Sequence, residues 1–289
     1  MIRVFLPIIL FLLTAVFPSQ SSAQLFKFGK KKETLPVVFN RMPSQAELLQ
    51  HLANNSQKFR QLSGDLRVSL DGTPQLRGTM QLELPKRLRI KAGVMGVSQF
   101  GVDVGSNEQD FWVWTKVNLP RQKPAIFHAS HEGFRQVSSS VREAIPLEPV
   151  WLLEGLGLIE FDANTIHQGP VLSREGYLQL YSAIQTPNGR NVRVTTIHPQ
   201  YGTVLQQSLY DQQNKLIAYT DSLDYRSFPQ QRTALPEKIV MYLFQHGQQT
   251  KMVIEASDYR FDSLYGDPNQ MWAMPQPDGV ESIDLTRLQ

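Results

Sequence analysis

The chain has 289 residues, with 29 Lys and Arg against 26 Asp and Glu, a formal net charge of +3, and no cysteine. The absence of cysteine excludes disulfides, Cys-ligated zinc, iron–sulfur centres and thiol nucleophiles. The small net charge argues against a dedicated nucleic-acid-binding protein. Hydrophobic residues make up 41% of the chain, which is enough for a sizeable core, so the chain is expected to fold.

The first residues have the pattern of a secretory signal peptide. Arg3 gives a weakly positive start, residues 5–17 are almost wholly apolar, and Ser21 and Ala23 are the small residues of a cleavage site. The apolar run is shorter than the roughly 20 residues that a membrane-spanning helix needs. We therefore predict an exported protein in which residues 1–23 are removed after Ala23; the alternative is an uncleaved N-terminal anchor.

The segment that follows, residues 24–40, is predicted to be a basic, flexible linker. Its lysines are Lys27, Lys30, Lys31 and Lys32. Lysines at this density can contact an anionic membrane surface, although a solvated tail is the preferred interpretation. The remaining chain, residues 41–289, is predicted to form one domain, because β-rich domains often reach this length.

One helix is predicted at the start of this domain, over residues 44–62. Ser44 and Glu47 have the spacing of a capping box, in which each side chain satisfies a backbone N–H of the other residue. Apolar residues then recur at helical spacing on one side, which predicts that this side faces the core. They are Leu48, Leu49, Leu52, Phe59 and Leu62.

Strands are predicted for most of the remaining chain. From Asp65 onward the hydrophobic period changes to two, which is typical of strands with one buried face. Asn188-Gly189 is the strongest short hairpin signal in the sequence. We count roughly eleven short strands separated by tight turns, and this spacing predicts an antiparallel meander. Such a meander is expected to bend into an incomplete barrel with a concave apolar face.

One predicted strand, residues 111–114, carries large apolar side chains at consecutive positions. A half-buried strand alternates apolar and polar residues, so this strand is expected to be covered on both faces. The sequence leaves open which of the two faces points to the concave side.

Residues 147–158, between the two halves of the meander, are unusually apolar and are interrupted by Gly and Pro. They predict a short apolar helix that is closed by Gly155 or Gly157 and is placed to cover the concave face. A concave apolar interior with a movable cover suits acyl chains. A barrel that is filled by its own side chains is the alternative.

Residue types used in catalysis or metal binding do not form a recognisable motif. His128 and His131 lack the HExxH pattern of zinc proteases, and no thiolate is present to complete a site. No GxSxG elbow, phosphate-binding loop or dinucleotide-binding glycine pattern occurs. We therefore predict that the protein is not an enzyme and has no cofactor.

Several segments follow one recognisable pattern. They are residues 82–90 (LELPKRLRI), residues 104–114 (VGSNEQDFWVW), the turn-bounded hairpin of residues 193–211, and two closing strands at residues 235–239 (LPEKI) and 258–262 (DYRFD). In this pattern a strand ends at a proline, the next strand alternates basic and apolar residues, and an aromatic strand follows. With these segments the chain resembles the LolA/LolB-like family of periplasmic lipoprotein-sorting carriers, and the resemblance extends over residues 46–262.

The resemblance implies a mainly β (α+β) fold, namely a half-open antiparallel barrel with an N-terminal helix and a helical lid. It also implies a periplasmic location and a hydrophobic cavity for acyl chains. Two features depart from the family. The soluble carrier tends to have an arginine before the strand-ending proline, where this chain has Leu84, and the lipid-anchored receptor has a cysteine that this chain lacks.

The leading hypothesis is a non-enzymatic periplasmic carrier that binds the acyl chains of lipoproteins or other lipids. The alternative is a structural or interaction module of the cell envelope with a filled barrel; an envelope hydrolase is a third that lacks a catalytic group. Envelope membrane proteins are further expected partners, nucleic acids are not, and the chain is expected to be a monomer. The candidate cavity-lining residues are Leu82, Leu84, Phe100, Val102, Trp112, Trp114, Trp151, Leu152 and Leu156.

Overall fold

The computed structural model describes residues 35–70, 74–115, 124–137, 141, 151–159, 165–186, 189–245 and 248–288. The predicted signal peptide, most of the predicted linker and the first residues of the segment 147–158 lie outside the described residues. Within the described part of the chain, no helix is both long enough and apolar enough to cross a membrane.

In the part of the chain that the structure describes, fourteen strands form one sheet. The first half contains β1 (Gln61–Leu70), β2 (Leu76–Glu83), β3 (Arg87–Val94), β4 (Val97–Ser106), β5 (Asp110–Thr115) and β6 (Ala125–Ser130). The second half contains β7 (His167–Leu172), β8 (Leu178–Thr186), β9 (Gly189–Ile197), β10 (Val204–Tyr210), β11 (Leu216–Phe228), β12 (Thr233–Gln245), β13 (Gln248–Phe261) and β14 (Glu281–Asp284).

The described helices are short. They are α1 (Gln45–Asn55), α2 (His131–Arg135), α3 (Trp151–Gly155) and α4 (Pro268–Met271), with single 3₁₀ turns at Pro229–Gln231 and Leu285–Arg287. Because these helices are short, the architecture is that of the sheet.

The strands form one open sheet in the order β14-β6-β5-β4-β3-β2-β1-β13-β12-β11-β10-β9-β8-β7. Two antiparallel meanders, β1–β6 and β7–β13, are joined where β1 pairs with β13. This confirms the predicted fold class, although the count of about eleven strands was too low. The sheet also has one parallel pair, β14 beside β6, which a pure meander does not contain. The short strands β7 and β14 lack a clear alternation of buried and exposed residues, so periodicity could not detect them.

One face of the sheet, called here the inner face, carries the main hydrophobic core. Cross-strand pairs such as Leu62–Leu82, Leu82–Leu88 and Ile90–Met80 place apolar side chains side by side on this face. Leu82 and Leu88 are fully buried. The core continues over β13 and β12 through Ile254 and Ile239, whose register pairs them directly.

Helix α1 covers the other end of the inner face. Leu48 and Leu52 are fully buried against Leu180 and Ile197 of β8 and β9. The predicted capping box is confirmed: the Glu47 N–H donates to the Ser44 hydroxyl, and the Ser44 N–H donates to the Glu47 carboxylate at 2.7 Å.

The predicted extent of this helix was wrong, because α1 ends at Asn55 rather than at residue 62. Asn54, Asn55 and Ser56 are weak helix formers, and Ser56 forms the C-cap. Phe59 and Leu62 still reach the core, but from the connection and from β1. Apolar spacing alone could not separate them from the helix.

The aromatic strand β5 is covered on both faces, as predicted. Phe111 faces the inner side and packs edge-on against Phe134 of α2, with 5.0 Å between ring centroids. Trp112 faces the outer side and lies across Gly105 of β4. A Cβ added at Gly105 would lie 2.0 Å from the Trp112 ring, so glycine is required there. Both aromatic residues are fully buried.

A buried ion pair on the outer side fixes the C-terminal segment. The Arg89 guanidinium lies 2.5 Å and 2.8 Å from the two Asp103 carboxylate oxygens and 5.0 Å from the Trp112 ring centroid. It also donates to the carbonyl oxygens of Met271 and Ala273 at 2.9 Å and 2.8 Å. The segment after β13 is therefore attached to the face opposite the main core.

Strand β12 contains a proline, Pro236, near its beginning. Proline has no N–H and is tolerated where one side of a strand is unpaired. The β12–β13 register begins only at Lys238, so Pro236 pairs with Tyr225 of β11 alone. The Tyr259 hydroxyl donates to the Pro236 carbonyl at 2.6 Å.

His51 of α1 is enclosed by the beginning of the described chain. Its Nε2 lies 3.2 Å from the Gly202 carbonyl oxygen, and its ring packs edge-on against Phe39 at 5.2 Å. Burial lowers the pKa of His51 below its usual value of 6.5, and the charge of Lys58 lowers it further. The neutral imidazole is therefore the form that the fold favours.

This environment predicts a loss of stability in mild acid. A histidine whose pKa is lowered by folding contributes stability that is present above its unfolded pKa and lost as the pH falls below it. We expect the free energy of unfolding, measured by urea denaturation, to fall between about pH 7 and pH 5. The fall should be smaller in His51→Gln, with both proteins referenced to pH 8. Equal slopes would contradict this role for His51.

Candidate functional site

Helix α3 lies over the inner face and ends in a Schellman motif. The Gly157 N–H donates to the Glu154 carbonyl at 2.9 Å, and the Leu158 N–H donates to the Leu153 carbonyl at 3.0 Å. Gly157 has φ of +80°, which is the left-handed conformation that this motif requires. The short apolar helix predicted for this segment is present, and of the two candidate glycines Gly157 closes it. We call α3 the lid helix.

An apolar floor lies beneath the lid helix. It is formed by Leu66, Met80, Ile90, Ile239, Ile254 and Ala256. Leu152 and Leu156 project onto it and leave a cavity of only about 10 Å³. A single water molecule needs roughly 10–15 Å³. The lid helix therefore fills the space above the floor, and no acyl chain fits there while it stays in place.

Polar groups of the sheet hold the C-terminal end of the lid helix. Gln207 Nε2 donates to the Glu154 carbonyl oxygen at 2.7 Å, and Ser222 Oγ donates to the Gly155 carbonyl oxygen at 2.7 Å. The Arg193 guanidinium donates to the Glu154 carboxylate. The last carbonyls of any helix lack partners within it, so these donors cap the lid helix from outside.

The same part of the inner face carries a row of buried polar side chains. The register places Gln207 of β10 directly between Thr195 of β9 and Thr220 of β11. Each is at most 1% exposed. Within the described part of the chain, Thr195 Oγ1, Gln207 Oε1 and Thr220 Oγ1 have no hydrogen-bond partner. We call these three residues, with Arg193 and Ser222, the polar stripe.

The polar stripe and the apolar floor are contiguous. Thr220 pairs with Met241, and Ser222 pairs with Ile239 of the floor. The lid helix covers the junction, because a Cβ added at Gly155 would lie 3.3 Å from Ile239 Cγ2 and 3.4 Å from Thr220 Cγ2. The inner face thus offers an apolar surface with a polar, cationic end.

Three of the six candidate residues from the first half lie on the inner face or pack against its core. Leu82 is fully buried in the core, and Leu84 packs against the same core. Val102 is half-buried and lies on the inner face, opposite Ala92. The side chain of Phe100 lies outside the described residues.

The two strand tryptophans are placed differently from the expectation. Trp112 and Trp114 lie on the outer face, because Phe111 and Val113 take the inner positions of β5. Trp112 instead packs over Arg89, 5.0 Å from the ring centroid. A strand that is apolar at every position gives no signal of which face is inward, and the register decides it.

Among the candidates from the lid helix, Leu152 and Leu156 lie on the apolar floor, and Trp151 is buried at the first position of α3. Sequence reasoning missed the polar stripe and Glu154. In β9 the buried positions are Arg193, Thr195 and Ile197, whereas Val192 and Val194 lie on the other face and are only half-buried. If the valines of β9 are assumed to face the core, the inner and outer faces of this strand are assigned the wrong way round.

A second cavity, of about 40 Å³, lies beside the end of the lid helix. Leu156, Tyr201, Tyr225 and Arg232 are among its lining residues. The Tyr225 hydroxyl donates to the Val204 carbonyl oxygen, and burial raises its pKa. This cavity is too small for an acyl chain.

Side chains of the types that bind metals are dispersed over the described residues. In the part of the chain that the structure describes, no three His, Asp or Glu side chains are grouped closely enough to hold a metal ion. His131 instead contacts the Ser106 hydroxyl and the Asn107 carbonyl oxygen, at 3.3 Å and 3.0 Å from its Nε2.

The polar stripe generates a prediction about stability. Thr195→Val replaces a buried hydroxyl that lacks a partner in the described structure, so we expect the free energy of unfolding to rise by about 1 kcal/mol. Ser222→Ala is the matched change, because it removes a hydroxyl that does have a partner and leaves the Gly155 carbonyl unpaired. We expect it to lower the same quantity by about 1 kcal/mol. Urea denaturation measures both, and a loss of stability in Thr195→Val would contradict the description.

Comparisons with solved structures agree with this architecture. A domain assigned as an outer membrane lipoprotein-sorting protein from Vibrio parahaemolyticus superposes with a TM-score of 0.53 at 12% identity, covering 78% of this chain and 94% of that one. A DUF1329 family protein from Desulfovibrio piger gives 0.49 at 12% identity, covering 78% and 95% of the two chains. A LolA superfamily protein from Nitrosomonas europaea gives 0.45 at 12% identity, covering 78% and 97%.

No protein-family model matches the chain, and no curated protein matches it in sequence. The likeness is thus one of fold. The chain shares the fold of the lipoprotein-sorting domain from Vibrio parahaemolyticus, which agrees with the fold that the resemblance implied.

Proposed function

We propose that the protein is a non-enzymatic periplasmic carrier that binds the acyl chains of lipoproteins or other lipids on the inner face of the half barrel. The observation that carries this proposal is the apolar floor beneath the lid helix, which Leu152, Leu153 and Leu156 of that helix help to cover. When the lid helix moves away, a continuous apolar surface spanning both meanders becomes available.

The free energy of burying an acyl chain is large enough to replace the lid helix on the floor. Removing Leu152 and Leu156 from the floor costs about 1.5–3 kcal/mol for each side chain. An acyl chain gains about 0.8 kcal/mol for each methylene that it buries, so about a dozen methylenes more than compensate. The ligand replaces the lid helix on the same surface, and the two compete for it.

The comparisons support this proposal at the level of the fold. The superposed Vibrio parahaemolyticus domain is assigned to lipoprotein sorting, which motivates acyl chains as ligands and the periplasm as the location. On this account residues 1–23 are removed after Ala23, and residues 41–289 act as one domain. Lipoproteins or lipids are the ligands, envelope membrane proteins are the further partners, and the chain works as a monomer.

A second candidate function has one observation in its favour. The cavity of only about 10 Å³ beneath the lid helix supports a barrel that is filled by its own side chains. A structural or interaction module of the envelope would keep this packing permanently. The two functions therefore differ in whether the lid helix must move.

An engineered disulfide distinguishes them, because the natural chain contains no cysteine. The position of a Cβ at Gly155, 3.4 Å from Thr220 Cγ2, makes Gly155→Cys with Thr220→Cys a suitable pair. We expect the oxidised double variant to lose uptake of a fluorescent fatty acid and the reduced form to regain it. Fluorescence titration measures the uptake.

The two single cysteine variants are the matched controls, and each should bind the fatty acid under oxidising and reducing conditions alike. Uptake by the oxidised, locked protein would show that the ligand binds elsewhere. Absence of uptake in the natural chain and in the reduced variants would support the filled barrel instead.

A further inference from the structure

The buried polar atoms of the polar stripe lower the stability of the fold, and the lid helix provides hydrogen-bond partners for only some of them. Gln207 and Ser222 cap carbonyl oxygens of the lid helix, yet Thr195 Oγ1, Gln207 Oε1 and Thr220 Oγ1 have no partner among the described residues. Buried polar atoms without hydrogen bonds destabilise a protein. Their grouping on three adjacent strands suggests a ligand that is absent in this closed form.

The lid helix supplies acceptors to this stripe. Arg193, Gln207 and Ser222 are donors, and they meet one carboxylate and two carbonyl oxygens of residues 154 and 155. Glu154 thereby places a negatively charged group on the Arg193 guanidinium. When the lid helix leaves, a buried cation and two further donors lose their partners at the same time.

The charged surroundings of this site are dominated by Arg193. It is 8% exposed, and among the described residues its Nε has no hydrogen-bond partner. Its register partner Ser182 lies 2.9 Å, through Oγ, from His167 Nδ1. Burial lowers the pKa of His167, and the positive charge of Arg193 lowers it further. Without Glu154 the site is therefore cationic.

We propose that Arg193, Gln207 and Ser222 form a subsite for the anionic headgroup of an acyl-chain ligand, and that the Glu154 carboxylate occupies this subsite when no ligand is bound. The inference rests on the proposed carrier function and adds the chemical class of the ligand, a carboxylate or phosphate attached to an acyl chain. The pairing of Ser222 with Ile239 places the headgroup donors directly beside the apolar floor. Arg193 lies two strands further on, on β9, so the end of a chain on the floor is on the side of the sheet that carries the guanidinium.

Two substitutions that break the Arg193–Glu154 ion pair test whether Arg193 binds the ligand headgroup or only holds the lid helix. Arg193→Gln removes the cation, and Glu154→Gln removes only its internal partner. We expect Arg193→Gln to weaken binding of a fatty acid by about tenfold and Glu154→Gln to strengthen it several-fold. Binding of the methyl ester of the same acid should change equally in both variants, because it has no charge to recognise.

The measurement is a fluorescence titration of four probes against the full chain: the fatty acid, its methyl ester, a monoalkyl phosphate of the same length, and inorganic phosphate. The natural chain should prefer the acid and the alkyl phosphate to the ester. Inorganic phosphate should not compete with them; if it competes as well as the alkyl phosphate does, the subsite is one for a free anion and the headgroup proposal is overturned.

Further variants keep the test decisive if Arg193→Gln is poorly folded. Arg193→Lys retains the charge, so it should retain a preference for the anionic probes. Leu153→Ala loosens the packing of the lid helix without removing a headgroup donor, so it should shift the acid and the ester by similar factors. If Arg193→Gln and Glu154→Gln shift all probes alike, the ion pair only holds the lid and the subsite is wrong. If no variant binds any chain, the carrier function itself is wrong.

Discussion

The end of the lid helix must find hydrogen-bond donors outside itself, and this constraint links the lid to the sheet. The Schellman motif supplies local N–H donors to the Leu153 and Glu154 carbonyl oxygens, whereas the Gly155 carbonyl oxygen accepts from a side chain of the sheet. Gln207 and Ser222 supply donors from β10 and β11, and Arg193 adds a cation opposite Glu154. These contacts place Leu152 and Leu156 on the apolar floor. Polar interactions therefore fix the position, whereas apolar burial supplies much of the favourable energy.

The topology explains why an apolar and a polar zone can lie side by side. The pairing of β1 with β13 joins the two meanders in the middle of the sheet, and the apolar floor spans this junction. The polar stripe lies further along the second meander, on β9 to β11. Arg193 of this stripe pairs with Glu154 of the lid helix.

The sequence predicted the elements whose signals are local. The capping box of Ser44 and Glu47 and the hairpin around Asn188-Gly189 depend on neighbouring residues, and the structure contains both the cap and the β8–β9 pairing. The glycine that ends the lid helix is a local signal of the same kind. Such features are readable because few long-range contacts compete with them.

The inward face of β5 and the buried polar residues of β9 could not be predicted, because they depend on contacts between residues that are distant in the sequence. The inward face of β5 is set by its register with β4, since apolar residues occupy both faces. Apolar residues of a half-buried strand usually face the core and polar residues face solvent. In β9 the polar residues Arg193 and Thr195 are instead buried on the inner face. Their burial makes sense only with Glu154 of the lid helix, which comes from another part of the chain. No periodicity within β9 could reveal that partner.

The central claim is that the inner face holds an acyl chain in place of the lid helix. Native mass spectrometry of the full chain recovered from bacterial membranes tests it most directly. The account predicts a population carrying the mass of a bound lipid, and a larger such population in Glu154→Gln than in the oxidised double variant Gly155→Cys with Thr220→Cys. Recovery of only the lipid-free mass from all three proteins would contradict it.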